Sequence, residues 1–201
     1  MRQQMVRAYL ARKKAQIAVG DASLDASLSD YLNVEGKSLR LAMAFFACGA
    51  LRPNGDDMAA IPLAAAIEVF HAFTLIHDDI MDQDTRRRGK PTVYAQHSEI
   101  ARITLGLDDR AALHYGEAIG ILAGDILQGW SASLLADLVA ASDVSDAVAL
   151  AVLNELFQRV NLILIRGQFL DIAYSRKSYT DVSDDQILEM MAMKTGILYE
   201  F

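Results

Sequence analysis

Residues 64–76 form a largely apolar stretch that runs straight into Asp78-Asp79-Ile80-Met81-Asp82, with Arg87-Arg88-Gly89 five residues further on. The stretch reads as a buried helix, which puts the aspartates at its C-terminal part. The helix dipole disfavours acids there, and a locally unfavourable choice of residue points to function. Residues at i and i+4 lie one turn apart on one face, so Asp78 and Asp82 project alike and Asp79 sits beside them. Mg²⁺ takes one or two carboxylates plus substrate phosphates and keeps several waters. The planar fork of arginine suits a phosphate bidentately. Together these residues describe a site for a diphosphate ester bridged by magnesium.

Three other Asp-Asp pairs act as controls. Asp56-Asp57 follows the turn signal Pro53-Asn54-Gly55 and reads as a helix start. Asp184-Asp185 sits inside a capping box, Ser183-x-x-Gln186. Asp108-Asp109 follows Gly106 and precedes an alanine-rich stretch, again a helix start. Each is explained by the favourable placement of negative charge at a helix N-terminus, and Asp78-Asp79 is not.

The chain has 201 residues, 53% of them hydrophobic, and only three prolines. That favours a mostly helical protein with large buried faces, and the length suits one domain spanning 1–201. Uninterrupted apolar runs such as 41–47 are too short to cross a bilayer, so no membrane span is expected. The basic N-terminus lacks the apolar core of a signal peptide, and the lone Cys48 excludes a disulfide network. The cytoplasm is the simplest compartment. A net charge of −7 argues against a nucleic-acid partner.

The expected helices span 3–19, 36–51, 57–83, 109–140, 145–175 and 183–201. Short turns join them at Gly20-Asp21, Pro53-Asn54-Gly55, Gly89-Lys90-Pro91 and Ala141-Ser142-Asp143. Residues 92–108 read as a partly helical excursion broken near Gly106, and there is no β-hairpin signal. Helices of this length suggest a large bundle with a central cavity.

The chain resembles the trans-isoprenyl diphosphate synthases. Carrying the resemblance are Gly36-Lys37-Ser38-Leu39-Arg40, His71, Leu75-Ile76-His77-Asp78-Asp79-Ile80-Met81-Asp82 and Arg87-Arg88-Gly89-Lys90-Pro91-Thr92. Gly124-Asp125, Gly167-Gln168-Phe169-Leu170-Asp171 and Lys194-Thr195 follow in the family's order. The resemblance implies an all-α, antiparallel helical bundle of the isoprenoid synthase type around a central apolar cavity. It implies condensation of isopentenyl diphosphate with an allylic diphosphate, by ionisation, alkylation and proton loss. It also implies Mg²⁺ (Mn²⁺ as the alternative) and a homodimer. Asp78 and Asp82 would bind the metal, with Asp79 a weaker or indirect participant. Arg87, Lys194 and Thr195 would hold the allylic diphosphate, with Gln168 and Asp171 facing it. Lys37, Arg40, His71 and Arg88 would hold isopentenyl diphosphate. Taken singly, several have ordinary readings: Lys37 and Arg40 as surface charges, His71 as a hydrogen-bonded core residue. His77 has no assigned role, and Gly124 would let two helices approach with Asp125 satisfied by a neighbour.

In this family bulky residues before the first aspartate motif stop the growing hydrocarbon tail. Phe73 lies five residues before Asp78, about 7.5 Å along a helix axis, and Phe70 about one turn further back. Either would floor the cavity and give a product of fifteen or twenty carbons. Core packing is the alternative for both.

Two departures from the family pattern stand out. Glu35 and Ser38 replace a glycine and an arginine around Lys37. The chain also ends before the family's second aspartate-rich motif, so the expectation is a fragment inactive alone. Three rival readings exist. A terpene cyclase would not need Lys37, Arg40 and Arg88. A histidine-aspartate phosphohydrolase would need a ligand upstream of His71. A non-catalytic regulatory subunit fits the departures.

Overall fold

Helix α1 (Arg2–Lys13) tightens into a 3-10 turn (Lys14–Ile17) and is followed by α2 (Ala22–Asn33), α3 (Leu39–Leu51) and α4 (Ala60–Met81). A ribbon of β1 (Arg86–Arg87) and β2 (Lys90–Pro91) comes next, then α5 (Val93–Thr104) and α6 (Asp109–Ala136). The C-terminal part holds α7 (Asp146–Asn154), α8 (Asn161–Tyr174), α9 (Asp184–Met191) and α10 (Ile197–Glu200). This computed structural model describes residues 1–33, 39–51, 60–139 and 144–201. Among the described residues the protein is all-α apart from the ribbon. Its described residues fall into two compact units, Met1–Leu134 and Leu135–Phe201, with the boundary inside α6.

In the first unit α4 is the central element, packed by α1, α2, α3 and α5. Its face of Ala64, Ala65, Ala66, Val69, Phe70 and Ile76 is buried. Each large side chain so buried contributes on the order of 1.5–3 kcal/mol. Helix α6 also approaches α4 closely. An added Cβ on Gly120 would lie 2.7 Å from the Ile80 side chain, and one on Gly124 would lie 2.1 Å from His77 Nε2. His77 Nε2 donates to the Ile121 carbonyl at 3.1 Å and stands 3.8 Å from Asp125 Oδ1. The expected close approach at Gly124-Asp125 is therefore present, and His77 is a tie between helices. Trp130 Nε1 donates to Gln16 Oε1 at 3.0 Å and anchors the 3-10 turn on α6.

In the second unit a π-helical turn (Glu155–Val160) joins α7 to α8, and another (Ala192–Gly196) joins α9 to α10. Ser183 and Gln186 form the expected capping box. The start of α6 is capped as expected too, because Asp108 Oδ1 accepts from the Ala111 amide at 2.9 Å. Asp56-Asp57 lies outside the described residues.

The structure corrects two expectations. Residues 22–33 form a helix where none was expected. Asp21 Oδ1 accepts from the Ser23 and Leu24 amides and caps it, an N-cap the low-propensity sequence conceals. A two-residue ribbon exists where no hairpin was expected. Arg88 at φ 50° and Gly89 at φ 81° supply the left-handed pair that a primed turn demands. Among the described residues three helical stretches, Ala60–Met81, Asp109–Ala136 and Asp146–Tyr174 (α7 to α8 through the π-helical turn), are long and apolar enough to cross a membrane by length and composition alone. Scattered polar residues such as Glu68 and His71 hide this from a search for unbroken runs. Most of α4 is buried within the protein.

Candidate active site

The site grows from the way α4 ends. Gln83 takes φ 59°, the Asp84 amide donates to the Asp79 carbonyl at 2.9 Å, and the Gln83 amide donates to the Ile80 carbonyl at 3.3 Å. These are the two bonds of a Schellman motif, closed by glutamine instead of the usual glycine. The chain reverses, and the ribbon brings its arginines back over the aspartates. Thr92 secures the return by donating through Oγ1 to the Asp84 carbonyl at 2.8 Å.

Arg87 Nε donates to Asp79 Oδ1 at 2.5 Å, and its Nη2 lies 3.8 Å from Asp78 Oδ2 and 3.6 Å from Asp84 Oδ2. Asp79 is 1% exposed, and Tyr31 of α2 donates to its Oδ2 at 2.9 Å. Burial pushes the Asp79 carboxyl above the usual carboxylate range, opposed by Arg87 and Tyr31. Burial and the Asp79 charge push the Tyr31 phenol up. Asp82 continues the helical turn, its amide donating to the Asp78 carbonyl at 2.8 Å, and its side chain is exposed.

Beside this cluster lies a cavity of about 330 Å³ lined from α1, α2, α3, α4, the ribbon and α5. Arg7, Tyr31, Glu68, His71, Arg88 and Lys90 give it polarity, and Leu10, Leu75 and Val93 give it apolar wall. Arg40 on α3 reaches His71, with Nη1 3.1 Å from Nε2. A guanidinium can only donate, so Nε2 accepts and the neutral ring carries its proton on Nδ1. Burial, and then Arg40, Arg88 and Arg87, push the His71 pKa down to about 3. Glu68, one turn before His71, is pushed up by burial and held back by the Leu41 amide and by Arg40, Arg88 and Arg7.

The sequence-derived candidates thus fall into distinct groups. Asp78, Asp79 and Arg87 meet at the end of α4, with Asp82 on the next turn. Arg40, His71 and Arg88 gather at the neighbouring cavity. Lys37 lies outside the described residues. In the second unit Lys194 Nζ donates to Asp171 Oδ2 at 2.5 Å, and Gln168 lies one turn before Asp171 on α8. Thr195, beside Lys194 on the π-helical turn, is exposed. Gly167 permits this contact, since a Cβ there would lie 2.3 Å from the Lys194 backbone nitrogen. Phe70 and Phe73 are buried and pack edge to face with centroids 4.7 Å apart, and neither lines the cavity.

Sequence reasoning missed Tyr31 and Glu68. A lone acid on an apolar helix was a readable signal for Glu68. Nothing in the spacing of Tyr31 points to Asp79, 48 residues away.

Among the described residues no group of three His, Cys, Asp or Glu side chains is set to enclose a metal ion. The donor chemistry fits Mg²⁺ in another way. Asp78 and Asp82 are carboxylates one turn apart, and Mg²⁺ completes such a pair with phosphate oxygens and water. Asp79 is committed to Tyr31 and Arg87.

The polyprenyl synthetase family matches residues 21–201. A (2E,6E)-farnesyl diphosphate synthase of Mycobacterium bovis is 34% identical over 163 residues, covering 81% of this chain and 37% of that protein. A geranyltransferase of Legionella pneumophila has a similar structure, with a TM-score of 0.77 at 27% identity over 98% of this chain and 62% of that one. A Corynebacterium glutamicum geranylgeranyl pyrophosphate synthase, complexed with isoprenyl diphosphate and magnesium, gives a TM-score of 0.75 at 26% identity. That match covers 98% of this chain and 54% of the other. The chain therefore spans well under half the length of the curated farnesyl diphosphate synthase that it matches. With most of its length matched, this chain belongs to the polyprenyl synthetase family.

Proposed function

We propose that the protein is a prenyltransferase that joins an allylic diphosphate to isopentenyl diphosphate and releases a product of fifteen or twenty carbons. The observation that carries this reading is the return of the ribbon over α4. It sets Arg87 against Asp78 and Asp79, and Arg88 beside His71 and Arg40 at the adjoining cavity. A carboxylate cluster that could take a magnesium diphosphate, beside a cationic cavity that could take a second diphosphate, suits a reaction between two diphosphates.

Asp78 and Asp82 would hold Mg²⁺, as the magnesium-bound Corynebacterium relative encourages. The metal would supply Lewis-acid neutralisation of the leaving diphosphate. Arg87 adds fixed positive charge where charge develops on the departing oxygens. Arg40 and Arg88, with Lys37, would hold the second diphosphate. Neutral His71 keeps Arg40 aimed without adding charge of its own. Leu75 and Val93 offer apolar wall that keeps water from an allylic cation. Gln168, Asp171, Lys194 and Thr195 retain, as part of this proposal, the role of contacts to the allylic diphosphate. We further propose that both units belong to one synthase domain, because the family match spans both, and that the whole protein acts as a homodimer in the cytoplasm.

The test is incorporation of labelled isopentenyl diphosphate with Mg²⁺ and dimethylallyl, geranyl or farnesyl diphosphate in turn. Incorporation is expected, and Asp78→Ala should lower it by about a hundredfold or more, as loss of a key electrostatic group does. Cyclised hydrocarbon in place of a longer diphosphate would make the protein a cyclase. No turnover by the folded whole protein with any primer would favour a regulatory subunit.

A further inference from the structure

We propose that Tyr31 is a positioning residue for the carboxylate end of α4. Its hydroxyl fixes Asp79, and Asp79 in turn fixes Arg87 beside Asp78. The inference rests on the prenyltransferase reading of this site.

Asp79 is 1% exposed, so water cannot stand in for its partners. Its two oxygens are divided between donors from distant parts of the chain: Tyr31 OH on Oδ2 at 2.9 Å and Arg87 Nε on Oδ1 at 2.5 Å. With Nε anchored, the outer end of the guanidinium is directed to Asp78 and Asp84, at 3.8 and 3.6 Å. The position of the Arg87 fork therefore depends on the orientation of the Asp79 carboxylate. Tyr31 is the residue that prevents this carboxylate from turning to take both of its bonds from Arg87. Charge-assisted bonds are short and directional, and a freed buried oxygen would pull the guanidinium inward, away from Asp78. Tyr31 also lines the cavity that holds His71 and Arg88. The same side chain thus forms the cavity wall and orders the carboxylates behind it.

Inorganic pyrophosphate with Mg²⁺ is the probe, titrated calorimetrically into wild type, Tyr31→Phe, Asp79→Ala and the double variant. Tyr31→Phe removes one oxygen and keeps the ring. It should weaken binding by about ten- to a hundredfold, the worth of a hydrogen bond to a charged group, while the protein still melts cooperatively. In the Asp79→Ala background the same substitution should change nothing, because its target is gone. In turnover, KM for the allylic diphosphate should rise more than KM for isopentenyl diphosphate. An equal loss in both backgrounds would show that Tyr31 acts only by packing and overturn the proposal, as would no loss in either. If wild type itself ignores Mg²⁺-pyrophosphate, the functional reading fails, an outcome distinct from tight wild-type binding that Tyr31→Phe leaves untouched.

Discussion

A histidine whose Nε2 accepts from Arg40 cannot take a second proton without facing a guanidinium. That is why His71 stays neutral, with its pKa pushed down to about 3 by burial and by Arg40, Arg88 and Arg87. In the unfolded chain the same ring titrates near its ordinary value of about 6.5. Between these values the unfolded state binds more protons, so stability falls as pH falls. The contribution is complete above about pH 6.5 and drains away toward pH 3, by up to about 1.4 kcal/mol per pH unit. Urea unfolding at pH 7 and pH 5 should show wild type losing about 1–2 kcal/mol more than His71→Gln. Equal losses would mean that His71 is not held neutral. The presence of an arginine beside Asp79 was readable in the sequence, because Arg87 follows within eight residues. From the sequence, Asp79 is expected only as a weaker or indirect participant in metal binding. Its burial follows from the packing of α2, a helix that the sequence does not announce.

At the scale of elements, glycines decide how closely helices approach. On α8, Gly167 faces backbone of the π-helical turn, and a methyl carbon added there would stand only 2.3 Å from the Lys194 nitrogen. Backbone cannot swing aside as a side-chain tip can. Gly167→Ala should therefore destabilise the protein by about 1–3 kcal/mol, the usual cost of overpacking, and separate Lys194 from Asp171. Gly129 on α6 is the opposite case, with nothing within 4 Å. Gly129→Ala should stabilise by about 0.5–1 kcal/mol through helix propensity. Urea midpoints measure both, and a shared sign would refute the packing argument. The two π-helical turns escaped the sequence reading, because a single i→i+5 turn inside a helix is too short to leave its own period in the apolar pattern. The primed turn at Arg88-Gly89 escaped because a ribbon of two residues per strand carries no alternation to detect.

For the whole molecule, product length is the property most open to test. Phe70 and Phe73 are buried and stacked edge to face on α4, which suits a rigid stop before Asp78 and suits ordinary core packing equally. Phe73→Ala should lengthen the longest prenyl product by at least one five-carbon unit, read by chromatography of the dephosphorylated alcohols. An unchanged product from an active variant would assign Phe73 to the core. The helical class, the main helices and the roster of chemical groups were legible in the sequence alone. Apolar periodicity, helix caps and the spacing of aspartates and arginines are local properties, and a linear reading captures local properties. The tertiary structure alone decided which of those groups meet. It turned α4 back on itself through Gln83, committed Asp79 to Tyr31 and Arg87, and set His71 under Arg40. The contacts of Tyr31 with Asp79 and of Arg40 with His71 join residues 48 and 31 apart along the chain, so they depend on burial and on the path between helices, which no local pattern records.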